Sequence, residues 1–454
     1  MSSDRHIEDC LGIEDHGSSQ PPDVVDWNGP EDDSNPMNWT TTKKAVTVGM
    51  VSVFNFLTPL GSAMFAPGVE QVMNQFHSTS KPISSFVVSV YLLGFAFGPL
   101  VVAPLSELYG RLPIYHACNI LFTVSNVACS LAPSLSSLIG FRFLAGSVGS
   151  APLALGAGTI ADIIKPEHRG LAIAVWAVGP VIGPVVGPVC GGFLTQEVSW
   201  RWVFWVIAIA AGVTTAISLL VLRETYAPIL LARRTKRLRR ETGNSKLQSA
   251  LYRDMTPVNL FKRSIIRPLN LLVLSPMVSL LSLYVAVVYG FLYLLFTTMS
   301  QVYRNQYHFS ASMVGLTYIG LGLGSIIGLL VTGRFSIHLA TSSCQNQREE
   351  ETRVPTSAHD SALSMHAYWF VLTAIQTYLV EAFTSEAASA AAANTVLRSL
   401  MGAVLPLAGP SMYSALGLGW GNSLLAFISL VMLPLPVLFL KYGEQLRTKY
   451  PVTP

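Results

Sequence analysis

Charged residues are scarce in this sequence. Only 12% of its 454 residues are Asp, Glu, Lys or Arg, whereas soluble globular proteins carry about 25%. Hydrophobic residues make up 51% of the chain, and the mean hydropathy is +0.48. This composition excludes an ordinary soluble domain. It predicts an all-α protein that crosses a membrane many times.

Residues for catalysis or metal binding are also sparse. The five cysteines show no disulfide framework and no metal-site spacing; they are Cys10, Cys118, Cys129, Cys190 and Cys344. The nine histidines never pair in a metal motif, and no Ser-His-Asp set or phosphate-binding loop occurs. We therefore expect no cofactor, no metal, no enzymatic activity, no direct use of ATP and no nucleic-acid partner.

Uncharged runs of about 20 residues, the length that crosses a hydrocarbon core of about 30 Å, predict the membrane spans. Six come before a break, at 46–67, 84–105, 113–132, 136–161, 169–194 and 202–222. After it come 270–296, 312–332, 386–408 and 422–440, with a weaker run at 366–383. The break contains "LLARRTKRLRR", so the positive-inside rule places it in the cytoplasm.

These features predict five consecutive regions. They are an acidic, disordered cytoplasmic tail at 1–44, a six-helix bundle at 45–222, a basic cytoplasmic linker at 223–268, a C-terminal bundle at 269–441 and a cytoplasmic tail at 442–454.

The stretch "GPVIGPVVGPVCGG" is unusual because it places prolines inside an apolar helix. Each interior proline removes a backbone hydrogen bond and costs roughly 3 kcal/mol in water, but a membrane helix tolerates it when neighbouring helices cover the freed carbonyls. Small residues at every fourth position let two backbones touch. We therefore expect close packing along Gly179, Pro180, Gly183, Pro184, Gly187, Pro188, Gly191 and Gly192. We expect Gly187→Val to be worse tolerated than Gly192→Ala, which adds one methyl group near the helix end.

Several polar residues interrupt the spans. Arg142 lies about six residues into the fourth one, where a charge needs a partner or a watery cavity. The alternative is an arginine that reaches the outer headgroups. Further candidates for a cavity are Tyr91, Tyr284, Tyr289, Gln376, Tyr378, Glu381, Asn394 and Arg398, although buried tyrosines also serve as packed core. Such a cavity suits bulky amphipathic or cationic solutes.

Several blocks together resemble the major facilitator superfamily, in particular the fungal drug:proton antiporters with twelve spans. They include "APLSELYGRLPIY" at 103–115, "FRFLAGSVGSAPLALGAGTIAD" at 141–162, the proline-glycine stretch at 179–192 and "AASAAAANTVLRSL" at 387–400. The resemblance implies two pseudo-symmetric helical bundles around a central cavity. It also implies a proton-driven plasma-membrane exporter of drugs, toxins, secondary metabolites or polyamines. A non-transporting or degenerate relative that senses a ligand is the alternative.

The resemblance also implies roles for individual residues. Arg142 and Gly146 would couple transport to protons, Glu107, Gly110 and Arg111 would form a cytoplasmic latch, and 179–192 would be the antiporter motif. Leu112 stands where the family usually has a second basic residue.

The second half departs from the family pattern. After "TRVP" at 352–355 the chain passes to the polar "TSAHDSALSMH", where a ninth span should begin, and the tenth resembles a splice of its two ends. We expect a C-terminal bundle short of about two spans, and hence either reduced or no activity or an error in the predicted gene structure. The expected partners are a small-molecule substrate, protons and the lipid bilayer, and no oligomer is required.

Overall fold

The computed structural model describes residues 23–252, 257–320, 322–324 and 387–432, which are largely helical. The helices of four or more residues are α1 Thr41–Ala63, α2 Val69–Gln75, α3 Lys81–Tyr109, α4 Arg111–Ser130, α5 Leu135–Gly149, α6 Ala151–Ile163, α7 Arg169–Glu197, α8 Trp200–Val221, α9 Ala227–Thr242, α10 Pro257–Leu274, α11 Pro276–Tyr307, α12 Ala311–Gly324 and α13 Ala387–Met432. Eight helical segments in these ranges are long and apolar enough to cross a membrane.

Six of these segments correspond to the six spans predicted for the first half. They are Thr41–Gln75, Pro82–Tyr109, Arg111–Ser130, Leu135–Ile163, Arg169–Glu197 and Trp200–Val221. Local signals set several of their ends. Ser134 and Ser137 form a capping box before α5, and the hydroxyl of Ser199 caps α8.

The second half differs from the sequence prediction at its first span. The predicted span at 270–296 is displaced, because Ser275 caps a new helix whose first residue is Pro276 and which continues to Tyr307. The predicted span at 386–408 and the described part of 422–440 correspond to two helices that meet at a kink at Gly417 (φ +71°), and we number the two together as α13. The run at 366–383 and parts of 312–332 and 422–440 lie outside the described residues.

The end of α13 is poorly covered by the described protein. Trp420 is 72% exposed, and Phe427, Leu430 and Val431 are exposed as well. Without Gly417, a helix of 46 residues would be about 69 Å long, far more than the hydrocarbon core.

The predicted disordered tail at 1–44 is wrong for its second part, because residues 23–40 are ordered. Val24–Val25 pair in parallel with Gln248–Ser249 of the linker, and the Asp32 carboxylate accepts from Arg234 of α9 at 2.8 Å. We call residues 23–40 the strap. The strap orders because it gains backbone and charged partners in the linker, about 200 residues away in the sequence.

The core crosses the boundary between the two halves of the chain. Within the first half, α1 packs on α7, α3 on α5 and α4 on α8, while α13 packs on both α11 and α3. One apolar cluster unites Phe65, Tyr91 and Trp200 with Tyr293 and Tyr318 of the second half. We call helices α1–α8 the first half, helices α10–α13 the second half and the boundary between them the seam. Residues at the seam touch both halves.

Candidate functional site

Arg142 of α5 is buried at the seam between the halves. Only 1% of it is exposed, so it does not reach a membrane surface. Its guanidinium carbon lies 4.8 Å from the ring centre of Phe65, 5.4 Å from that of Tyr91 and 5.7 Å from that of Phe204. Three aromatic faces can stabilise a cation that has left water.

Backbone carbonyls also hold Arg142. Its Nη2 donates to the carbonyl oxygens of Ser62 at 3.2 Å and Val88 at 3.3 Å, and among the described residues no carboxylate forms an ion pair with it. Gly146, one turn further on α5, lies so close to α3 that a Cβ would overlap the carbonyl oxygen of Tyr91. The predicted pair Arg142 and Gly146 thus fixes α5 against α1 and α3.

An aromatic row leads from Arg142 into the second half. The Tyr91 hydroxyl donates to the Thr58 carbonyl at 2.9 Å, and Ser62 Oγ lies 3.2 Å from Tyr293 Oη of α11. The ring centres of Tyr293 and Tyr289 are 5.1 Å apart. Sequence reasoning missed Ser62 and Tyr293, because their meeting depends on how the halves pack.

The row ends at a second buried arginine. The Arg398 guanidinium carbon lies 5.1 Å from the Tyr289 ring centre, and Asn394 precedes Arg398 by one turn of α13. Tyr284 packs in a separate cluster with Ala390 and Ala393, as an apolar core residue would. The candidates Gln376, Tyr378 and Glu381 lie outside the described residues.

The latch residues lie at the end of the bundle that carries Lys43, Arg111, Arg169 and α9, which we call the basic end. Here Arg111 Nε contacts Asp162 Oδ2 at 2.5 Å. The buried Glu224 carboxylate accepts from the backbone nitrogens of Arg111 and Leu112 at 3.0 and 3.3 Å. Asp162 and Glu224 are therefore acidic partners of Arg111 that were not predicted from the sequence.

Gly110 brings Glu224 to this site. Its φ of +100° is one that side chains rarely adopt, and a Cβ there would overlap Glu224 Oε2. The predicted orientation could have indicated these acidic partners. It places Arg111, Asp162 and Glu224 at the cytoplasmic ends of three spans, where their side chains can meet.

The proline-glycine stretch lies in α7, which runs through Pro180, Pro184 and Pro188 as one helix. Pro180 cannot donate to the Trp176 carbonyl, and the Asn55 side chain of α1 donates to it instead at 3.0 Å. A neighbouring helix thus covers a freed carbonyl, as the sequence predicts.

The glycines of α7 face two neighbours. Gly179, Gly183, Gly187 and Gly191 lie against the α1 backbone, and a Cβ at Gly187 would come within 2.9 Å of Met64 N. Gly192 instead faces α12, where a Cβ would overlap the carbonyl oxygen of Ala311. Gly192 is therefore a close contact between the halves, and the expectation that it tolerates alanine better than Gly187 tolerates valine does not match this packing.

Polar bridges join the halves at the other end of the bundle, which we call the opposite end. Glu70 pairs with Arg304 at 2.6 Å, Gln301 Nε2 donates to Ser84 Oγ at 3.1 Å, and Ser312 Oγ donates to Gln196 Oε1 at 2.7 Å. A cavity of about 210 Å³ lies beside the first two bridges. None of these bridges was predicted from the sequence.

Comparisons with known proteins agree on one family. The chain matches the family model for the Major Facilitator Superfamily over residues 51–341. It is 52% identical to the MFS-type transporter penM of Penicillium rubens, with 95% of this chain and 91% of the relative covered. It is 48% identical to the efflux pump radE of Floropilus chiversii, with 94% and 85% covered.

The alignment with penM spans 463 positions but only 95% of the 454 residues, or about 431, so about 32 positions are gaps in this chain. Among solved structures, the proton:xylose symporter XylE bound to 6-bromo-6-deoxy-D-glucose matches with a TM-score of 0.61 at 16% identity, covering 91% of this chain and all of the other. This similarity concerns the fold alone.

Proposed function

Because the chain belongs to the major facilitator superfamily, we propose that it is a proton-driven secondary transporter that exports small organic compounds by alternating access. Its partners are the substrate, protons and the lipid bilayer, and its place is the plasma membrane. The efflux pump radE, 48% identical to this chain, supports export as the direction.

The observation that carries this proposal is the buried arginine at the seam. A charge within a span is costly and is typical of a functional site. Arg142 contacts Ser62 of α1 and Val88 of α3, and Ser62 contacts Tyr293 of the second half. A change in the charge around Arg142 can therefore bias how the halves pack. Proton binding at a neighbouring group or on the substrate is such a change.

The bridges at the opposite end supply the second element of alternating access, a seam that can open. The pairs Glu70–Arg304, Ser84–Gln301 and Gln196–Ser312 hold polar groups of the two halves together there. At the basic end, Arg111 pairs with Asp162 within the first half, and Glu224, just after α8, accepts from the Arg111 backbone. A first half that moves as a unit suits rocking of one bundle against the other.

The test is transport in inside-out vesicles from host cells that express the full chain. A pH gradient with the vesicle lumen acidic should drive uptake of at least one of three tritiated probes. The probes are 2-naphthoate, its methyl ester and 2-naphthylmethylammonium. Passive accumulation measured in vesicles without the protein is subtracted, and a protonophore should abolish the uptake that remains. Uptake that persists with the protonophore would contradict proton coupling.

A degenerate, non-transporting relative is the second candidate, because about 32 positions of the penM alignment are gaps in this chain and because the end of α13 is exposed, as in a bundle that lacks a covering helix. An untargeted comparison of secreted metabolites with and without the gene separates the two. A metabolite that stays inside the cells only when the gene is absent supports export, and unchanged secretion supports the degenerate relative.

A further inference from the structure

Two polar side chains of α13 are buried without hydrogen-bond partners in the described part of the chain. Asn394 is 1% exposed, and neither its Oδ1 nor its Nδ2 is paired. Arg398 is 9% exposed, and its Nε is also unpaired. The two are four residues apart, so they lie on one face of the helix. Buried polar groups are normally satisfied, which makes this face a candidate ligand site.

The surroundings fit a ligand with a flat ring. The Tyr289 ring centre lies 5.1 Å from the Arg398 guanidinium carbon. The ring centre of Tyr293 lies 5.1 Å from that of Tyr289. Gly402, one turn beyond Arg398, approaches Leu92 of α3, so the site borders the seam. Tyr289 is near the middle of the 32-residue helix α11. This depth is typical of substrate sites in secondary transporters.

The buried positive charges at the seam favour a negatively charged ligand. Arg142 and Arg398 are both buried, and among the described residues neither forms an ion pair with a carboxylate. The buried carboxylate of the described residues, Glu224, lies away from this site at the basic end. Two cations that have no carboxylate partner in the described ranges repel an amine and attract an anion.

We propose that Asn394, Arg398 and Tyr289 bind the anionic oxygen and adjoining ring of an aromatic organic anion, such as an aryl carboxylate or an ionised phenol. The oxygen accepts from the Arg398 guanidinium and Asn394 Nδ2, and the ring packs on Tyr289. This inference rests on the proposed transport function and narrows its substrate class. It replaces the cationic solutes and polyamines expected from the sequence.

The test is equilibrium binding of three matched tritiated probes to the purified full chain in lipid nanodiscs. The probes are 2-naphthoate, methyl 2-naphthoate and 2-naphthylmethylammonium, which share a ring system and differ in charge. We expect 2-naphthoate to bind the wild type at least tenfold more tightly than either of the others. Arg398→Gln should remove this preference, Arg398→Lys should keep most of it, and Asn394→Leu should weaken 2-naphthoate alone.

The matched control is Arg201→Gln. Arg201 also lies over a ring, that of Trp200 at 4.5 Å, but it donates to the carbonyls of Ser130 and Ala132 at the opposite end. Its loss should leave the preference unchanged. All variants should elute as single species with melting temperatures near that of the wild type, so that lost binding is not lost folding.

Three results would overturn the inference. They are an ammonium probe that binds as tightly as 2-naphthoate, no binding of 2-naphthoate, and an Arg398→Gln variant that keeps the preference. Different results would contradict the proposed transport function. Anion-selective binding without proton-driven uptake would contradict transport and leave the site intact, whereas proton-driven uptake of the ammonium probe alone would support transport and refute the site.

Discussion

Three aromatic rings and two backbone carbonyls contact the Arg142 guanidinium, and lysine cannot replace this arrangement. A lysine ammonium is compact and lacks the planar face and fork of a guanidinium. We therefore predict that Arg142→Lys lowers proton-driven uptake at least tenfold, and that Arg142→Ala abolishes it. Uptake and surface expression are measured in the same vesicles.

Arg201→Lys is the control for this prediction, since Arg201 lies on the Trp200 ring away from the seam. It should retain more than half of wild-type uptake. Full activity of Arg142→Lys would show that Arg142 contributes charge alone.

Individual residues differ in how readily the sequence predicts their role. Arg142 stands out because a charge within an apolar run is rare, and Gly110 and Arg111 stand out at a span end. The Arg111 partners were harder to predict. Asp162 and Glu224 are 51 and 113 residues away in the sequence, and hydropathy does not specify which span ends are adjacent.

At the scale of elements, α7 joins both halves through its glycines. We predict that Gly192→Ala impairs transport at least as strongly as Gly187→Val, because the new methyl group would overlap the Ala311 carbonyl of α12. Uptake per surface-exposed molecule is the measure. Gly170→Ala on the same helix has no atom within 4 Å of the new Cβ and should be neutral. Near-wild-type uptake by Gly192→Ala would mean that α7 and α12 separate during most of the cycle.

The strap is a second element whose contacts can be tested. Hydrogen bonds from the Ser34 hydroxyl, the Asn28 and Ser34 backbone and Arg234 hold the pKa of Asp32 well below its usual range. A carboxyl with a lowered folded pKa stabilises the folded strap above its unfolded pKa, and this contribution is lost only as the pH falls through the folded value. The strap should therefore stay docked between pH 7 and pH 5.

We predict that Asp32→Asn makes protease cleavage within residues 23–40 severalfold faster at pH 7, while the wild type is cut at similar rates at pH 7 and pH 5 with a protease active at both. Asp33→Asn is the control, because Asp33 is exposed and forms no ion pair among the described residues. Equal cleavage of Asp32→Asn and Asp33→Asn would show that the Arg234 pair does not hold the strap.

Elements differ in how readily the sequence predicts them. Apolar runs predict the spans of the first half, because lipid exposure requires apolar side chains over a fixed length. Composition alone suggests that the acidic tail is disordered. The order of residues 23–40 arises from pairing with the distant 248–249 segment and with Arg234, which composition does not report.

At the scale of the whole molecule, the proposed alternating access requires the seam at the opposite end to open. Gln301 Nε2 lies 3.1 Å from Ser84 Oγ across that seam, so the double variant Ser84→Cys, Gln301→Cys should be joined by a short bifunctional thiol reagent. The five native cysteines are first replaced, and the resulting chain must still transport. We predict that a cleavable cross-link stops uptake almost completely and that a reductant restores it.

A cross-link within one half distinguishes a locked seam from general damage. Gln71 Nε2 donates to the Thr195 carbonyl at 3.2 Å, and both residues belong to the first half. Gln71→Cys, Thr195→Cys should therefore cross-link with little loss of uptake, because a half that moves as a unit does not need this contact to break. The decisive comparison is uptake per cross-linked molecule in the two variants. If the chain joined at residues 84 and 301 transports as fast as the chain joined at 71 and 195, the bridges of the opposite end do not open during transport, and alternating access through that seam is wrong for this protein.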